Sequence, residues 1–169
     1  MIPLNIKTHY TLCESLIKPD KLALKIKDCC AVVDKNTLSG IVKFKEEIGK
    51  AGKKGIIGID INLNGEFVIL LCKNYSGYQS LMYYVSKLGA EQKIDFETIQ
   101  EKNSGLICIT RSMDNDFINQ LKKIFKTNLY IGLETPSKEL RILSKDLKIP
   151  CVAIPEVCYL NQQDKQDHE

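Results

Sequence analysis

The sequence predicts an α/β fold assembled from parallel strand–helix–strand crossovers, and three observations carry that prediction. Short apolar runs rich in β-branched residues, the stretch from Cys29 to Asp34 foremost, have the character of strands buried on both faces. Between them lie segments whose apolar residues recur at helical spacing behind cap signals and ahead of stop signals. The two kinds alternate at least five times, with connections short enough for parallel crossovers. A (β/α) barrel and an open doubly wound sheet both satisfy this alternation, and periodicity does not choose between them.

Taken in order, Pro3 to Ile6 is a short strand candidate that ends in the polar loop Lys7-Thr8-His9-Tyr10. Pro19, as a first helical residue, opens a segment carrying Leu22 and Ile26 at helical spacing. The strand that follows stops at Asp34. Leu38, Ile41, Phe44 and Ile48 then mark one helical face, with Gly52 as a natural stop. A strand from Gly55 to Leu63 turns at Asn64-Gly65, the strongest two-residue hairpin signal, and folds back on Glu66 to Cys72. This hairpin is the one excursion from a parallel pattern.

Tyr78, Leu81, Met82, Val85 and Leu88 predict a helix closed by Gly89, and a short helix is expected from Phe96 to Glu101. After the strand Gly105–Thr110, an Asp114-to-Asp116 cap leads Phe117, Leu121, Ile124 and Phe125 into a clear amphipathic helix. Asn128 to Leu133 is the next strand. Thr135-Pro136 then has the form of a cap with a first-turn proline ahead of Leu140, Leu143 and Leu147. Cys151 to Ile154 is the last strand and Asn161 to Glu169 a polar tail.

Composition narrows the function classes. The 169 residues, 44% apolar and 27% charged, suit one domain with a real core. No apolar run reaches the roughly 20 residues a bilayer span needs, and the first residues lack signal-peptide character, so a cytoplasmic protein is expected. The seven cysteines have no CxxC spacing and read as reduced structural thiols. With only His9 and His168 as imidazoles, paired zinc ligands are not in evidence. A net charge of +3, spread over the chain, does not argue for nucleic acid, and only Arg111 and Arg141 offer forked donors. Gly49 to Gly55 is rich in glycine and lysine but matches neither phosphate-loop pattern.

In α/β architectures the C-terminal ends of strands carry the chemistry. Those ends bring Asn5 and Lys7, then Asp34 and Lys35, Asp60, Thr110 to Ser112, and Glu156 with Cys158 toward one rim.

Taken in series, these stretches resemble the PHP (polymerase and histidinol phosphatase) domain that opens the alpha subunit of bacterial DNA polymerase III. Tyr10-Thr11-Leu12-Cys13-Glu14-Ser15-Leu16 is similar to the family's Tyr-Ser-Leu-Leu-Asp-Gly-Leu. Val33-Asp34-Lys35-Asn36-Thr37-Leu38-Ser39-Gly40 is similar to Thr-Asp-His-Gly-Asn-Leu-Phe-Gly, and Gly55-Ile56-Ile57-Gly58-Ile59-Asp60 to Pro-Ile-Ile-Gly-x-Glu. Pro155-Glu156-Val157-Cys158-Tyr159-Leu160 resembles Asn-Asp-Val-His-Tyr-Leu. The resemblance implies a distorted (β/α)7-type barrel over residues 1–160, with 161–169 as a polar tail leading into further family sequence, so that the barrel is expected to be incomplete at its C-terminus.

Active members of the family hold a cluster of metal ions with histidines and carboxylates from these loops and hydrolyse phosphate esters. Here the family's leading His-x-His corresponds to Asn5-Ile6-Lys7, the His after the aspartate to Lys35, a later His to about Lys102, a Cys ligand to Ser112 and the last His to Cys158. Asp34 matches outright, and Asp60 and Glu156 each exchange one carboxylate for the other.

An ammonium has no lone pair to donate and repels a cation, so the resemblance implies a degenerate site without metal. Lys7, Lys35 and Lys102 are expected to pair with Asp34, Asp60 and Glu156 where relatives hold ions. The function implied is a non-catalytic scaffold within a polymerase that docks the proofreading exonuclease subunit and meets DNA only through the parent protein. The alternative is a residual phosphoesterase in which Asp34, Asp60, Glu156 and Cys158 hold one Mg²⁺ or Mn²⁺ weakly.

Overall fold

The β-branched runs become strands of one sheet: Cys29–Lys35 (β1), Lys54–Leu63 (β2), Glu66–Cys72 (β3), Leu106–Thr110 (β4), Leu129–Leu133 (β5) and Cys151–Ala153 (β6) lie side by side in chain order. These elements come from a computed structural model, which describes residues 2–91, 93–161 and 164. The β3 strand runs antiparallel to both neighbours, and the other adjacent pairs are parallel. Its reversal is made by Asn64 (φ 51°) and Gly65 (φ 97°), the two positive φ angles that a tight hairpin turn requires.

The sheet curls toward closure. Ile6 bridges Val32 of β1 on one side and Val157, just past β6, on the other. The Ile6 amide donates to the Ala31 carbonyl, and Lys7 and Val157 exchange bonds with Val157 and Asn5 respectively. The predicted first strand is thus a single-residue bridge, yet it is what joins the two edges of the sheet. Of the two architectures left open by periodicity, the barrel is the one formed.

Helices cover the outside: Pro19–Lys25 (α1), Ile41–Lys50 (α2), Tyr75–Glu91 (α3), Phe96–Glu101 (α4), Asn115–Phe125 (α5) and Lys138–Leu147 (α6). Asp114 caps α5 as expected, accepting from the amides of Asp116 and Phe117, and Gly52 (φ +66°) follows α2. Two expected boundaries differ. α3 runs on through Gly89, whose missing side chain faces open space. α6 is capped by Ser137, whose hydroxyl accepts from the Leu140 amide, and Pro136 lies ahead of the cap. His168 and all of the polar tail beyond Asn161 except Asp164 lie outside the described residues.

Three apolar clusters follow from the alternation of strand side chains. Ala31, Val33, Ile69, Leu71, Ile109 and Ile154 fill the inside of the curl. Ile59, Ile61, Val68, Leu70 and Cys108 face outward against α3, α4 and α5. Cys30 and Val32 pack with Leu22, Ile41, Phe44 and Ile48 of α1 and α2.

Candidate functional site

Because Ile59, Ile61 and Leu63 face the outer helices, Asp60 between them faces the inside of the curl near its C-terminal mouth. It is fully buried, as is Lys7. Lys7 Nζ donates to Asp60 Oδ2 at 2.7 Å and to the Val33 carbonyl at 2.7 Å. From just past the end of β4, Arg111 Nη2 reaches Asp60 Oδ1 at 2.9 Å and Oδ2 at 3.1 Å, while its Nη1 donates to Glu134 Oε1 at 2.7 Å. Asp60 therefore meets two cations at once. Burial pulls the Arg111 guanidinium down, and the carboxylates of Asp60 and Glu134 more than offset it, holding it above its ordinary range.

Asp34 is nearly as buried but is held by neutral donors. The Thr8 amide (2.6 Å) and Thr11 Oγ1 (2.8 Å) donate to its Oδ1, and Thr8 Oγ1 (2.7 Å) donates to its Oδ2. Thr11 Oγ1 in turn accepts from the Lys35 amide at 3.1 Å. The expected pairing of Asp34 with a lysine is corrected here: its charge is met by hydroxyls and an amide, which fold the loop after Lys7 back over the end of β1.

The remaining predicted positions are spread around the mouth. Lys35 pairs with Glu14, and its ammonium stands 5.8 Å from the centroid of the Phe67 ring. Burial alone would lower the Lys35 ammonium; the hydrogen bond to Glu14 and the carboxylates of Glu14, Glu156 and Asp60 hold it above its ordinary range. Glu156 is exposed and accepts from Cys158 Sγ at 3.2 Å. Burial and that carboxylate push the Cys158 thiol up to about 12. Ser112 is buried, its Oγ accepting from the Asp114 amide at 3.0 Å. Asn5 is buried too; its Nδ2 donates to the Ile154 carbonyl at 3.3 Å, and its Oδ1 has no partner among the described residues.

Lys102 is not brought to the site. It caps the C-terminus of α4 with an exposed side chain, on the loop that enters β4 at the opposite end of the barrel from the mouth. A cleft of about 300 Å³ remains at the mouth, bordered by Lys35, Phe67, Arg111, Glu134 and Glu156.

Sequence reasoning missed four participants: Thr8, Thr11, Glu14 and Glu134. Arg111 was visible as a forked donor, but its targets were not. The one available signal was position, since Arg111 and Glu134 directly follow β4 and β5.

A curled, mostly parallel α/β sheet with charged side chains gathered at the strand C-termini defines the class of PHP-like barrels. Two solved structures share that fold. One is an amidohydrolase from Chromobacterium violaceum (TM-score 0.61, 8% identity, 93% of this chain and 87% of that one). The other, from Bifidobacterium adolescentis, is described as a metal-dependent phosphoesterase (TM-score 0.60, 9% identity, 94% and 87%). The PHP domain family model matches residues 3–129, so this chain belongs to the PHP domain family.

Among curated relatives, the DNA polymerase III subunit alpha of Buchnera aphidicola subsp. Schizaphis graminum is 27% identical over 99% of this chain. That of Borreliella burgdorferi is 26% identical over 96%. The chain spans 18% of the length of each. Among the described residues, no helix is long and apolar enough to cross a membrane.

Proposed function

We propose that this chain is a degenerate, non-catalytic PHP domain of a cytoplasmic replicative polymerase alpha subunit, supporting the polymerase and docking its proofreading exonuclease subunit. The observation that carries the reading is the Lys7 ammonium, fully buried at 2.7 Å from Asp60. It is a fixed positive charge where active relatives would bind ions. A divalent cluster needs several carboxylates or neutral imidazoles around each ion. Here Asp60 is taken by Lys7 and Arg111, Asp34 by three neutral donors, and Asn5, Ser112 and Cys158 stand where stronger ligands would be needed. The donor set therefore does not fit the metal cluster, and Asn5, Lys7, Asp34, Lys35, Asp60, Ser112, Glu156 and Cys158 are assigned as former metal-site positions that now hold structure.

The relatives' identity as polymerase subunits supports the placement in a replication complex, with DNA reached only through the rest of the parent chain. The test is a pull-down of the full-length alpha subunit with its cognate exonuclease, alongside elemental analysis. Co-purification without bound metal supports the proposal. Loss of the exonuclease interaction in the wild-type subunit, or stoichiometric manganese, overturns it.

One observation favours the alternative: Glu134 and Glu156 border the mouth cleft together. Manganese-dependent turnover of p-nitrophenyl phosphate that disappears in Asp34→Ala or Asp60→Asn would establish that reading instead.

A further inference from the structure

A second groove lies away from the mouth, on the outer wall of the barrel. A β-hairpin needs no crossover helix, so nothing links β2 to β3 across the outside, and the space between α2 and α3 is left open as a groove of about 940 Å³. Its floor is the start of β2. Gly58 pairs with Leu71 at the last position where β2 meets β3, whereas residues 54–57 are paired only with residues 29–32 of β1 among the described residues. The Lys54 amide donates to Asp28 on the β1 side. In a parallel ladder successive residues alternate, so Gly55 turns its N–H and C=O toward the groove, while the backbone groups of Ile57 face Cys72 at the end of β3.

The walls have one sign of charge. Lys45, Lys53, Lys54 and Lys73 border the groove, and among the described residues no carboxylate does. Among the described residues, Lys53 donates to the Ala23 carbonyl and Lys73 to Asn128 Oδ1, both neutral partners. Among these residues, Val42 (75% exposed) and Tyr75 (70% exposed) present apolar surface that the chain does not cover. An unpaired strand edge is a template for a further strand.

We propose that this groove binds an extended, acidic segment of a partner protein. The segment adds alongside the bare start of β2, its carboxylates meet Lys45, Lys54 and Lys73, and its alternate apolar side chains rest on Val42 and Tyr75. A peptide is favoured over single-stranded nucleic acid because the strand edge at Gly55 offers a backbone donor and acceptor in the spacing of a β-ladder, and the floor from Gly55 to Ile57 is aliphatic, the aromatic rings of Tyr75 and Tyr78 standing only on the α3 wall. The inference uses β2, α2 and α3, and the fate of the proposed pseudo-site leaves it unchanged.

The test is fluorescence polarisation of the purified chain with a fluorescein-labelled peptide of alternating Glu and Val. Saturable binding is expected, weakened about tenfold in the exposed-site double variant Lys45→Glu/Lys54→Glu. Binding should be abolished when alternate peptide amides are N-methylated, with circular dichroism confirming that the variant stays folded. No saturable binding, equal binding of the N-methylated peptide, or tighter binding of labelled oligo-dT would each overturn it.

Discussion

Two buried carboxylates stand a few residues from the ends of adjacent parallel strands, and the molecule settles their charge by different means. Asp60 is clamped by cations, Lys7 from the N-terminal segment and Arg111 from the end of β4. Asp34 is tied by a backbone amide and two threonine hydroxyls from one loop. The difference shows what each does. The Asp60 clamp joins three separated parts of the chain at the mouth, whereas the Asp34 knot fixes a single loop that precedes α1.

Removing a partner from a buried ion pair leaves an uncompensated charge, so the largest expected effect is in the clamp. Lys7→Met should cost about 3 kcal/mol or more in urea unfolding, and adding Asp60→Leu should recover most of that loss. A Lys7→Met variant as stable as the parent would break the comparison. In the knot, Asp34→Asn keeps the shape but cannot satisfy all three donors, and should cost about 2 kcal/mol by the same measurement. Thr11→Val, which removes one hydroxyl, should cost about 1 kcal/mol. Comparable losses in Lys7→Met and Thr11→Val would erase the distinction between charged and neutral solutions. At the solvent-facing end, Glu134→Gln keeps an acceptor for Arg111 but removes its outer negative charge, and should change stability by less than about 1 kcal/mol.

The smallest effect is a pH dependence at the rim. The Lys35 ammonium is held above its ordinary value of 10.5, chiefly against burial, by Glu14 and its neighbouring carboxylates. A raised folded value gives stability that is fully present below 10.5 and fades as pH rises through the folded value. Since both side chains are partly exposed, the contribution should stay under about 1 kcal/mol. The stability gap between the parent and Glu14→Gln should therefore be widest near neutrality and close in strong alkali, as followed by denaturant melts across pH. A gap that grew with pH would contradict the assignment.

Local signals in the sequence were enough for what depends on neighbours in the chain. The Asn64-Gly65 turn and the Asp114 cap of α5 depend on φ preferences and side-chain reach within a few residues, and both form as expected. Gly89 failed as a stop because a helix with an apolar face packed on the sheet tolerates one glycine. Closure of the sheet rests on a one-residue bridge at Ile6, too short for any periodicity to announce.

At the site, the buried cation at Lys7 was legible because an ammonium among expected ligands is chemically conspicuous. Thr8 and Thr11 were not, since hydroxyls are common in loops and their target lies more than twenty residues away. Lys102 was misplaced because a resemblance assigns position along the chain, and the α4 cap lies at the far end of the barrel.

Anomalous diffraction from crystals soaked in manganese puts the ammonium-for-metal exchange to the most direct test. The expected map keeps Lys7 Nζ within hydrogen-bonding reach of Asp60 and shows no manganese on Asp34 or Asp60. Two or more fully occupied manganese ions there, with Lys7 displaced from the mouth, would contradict it.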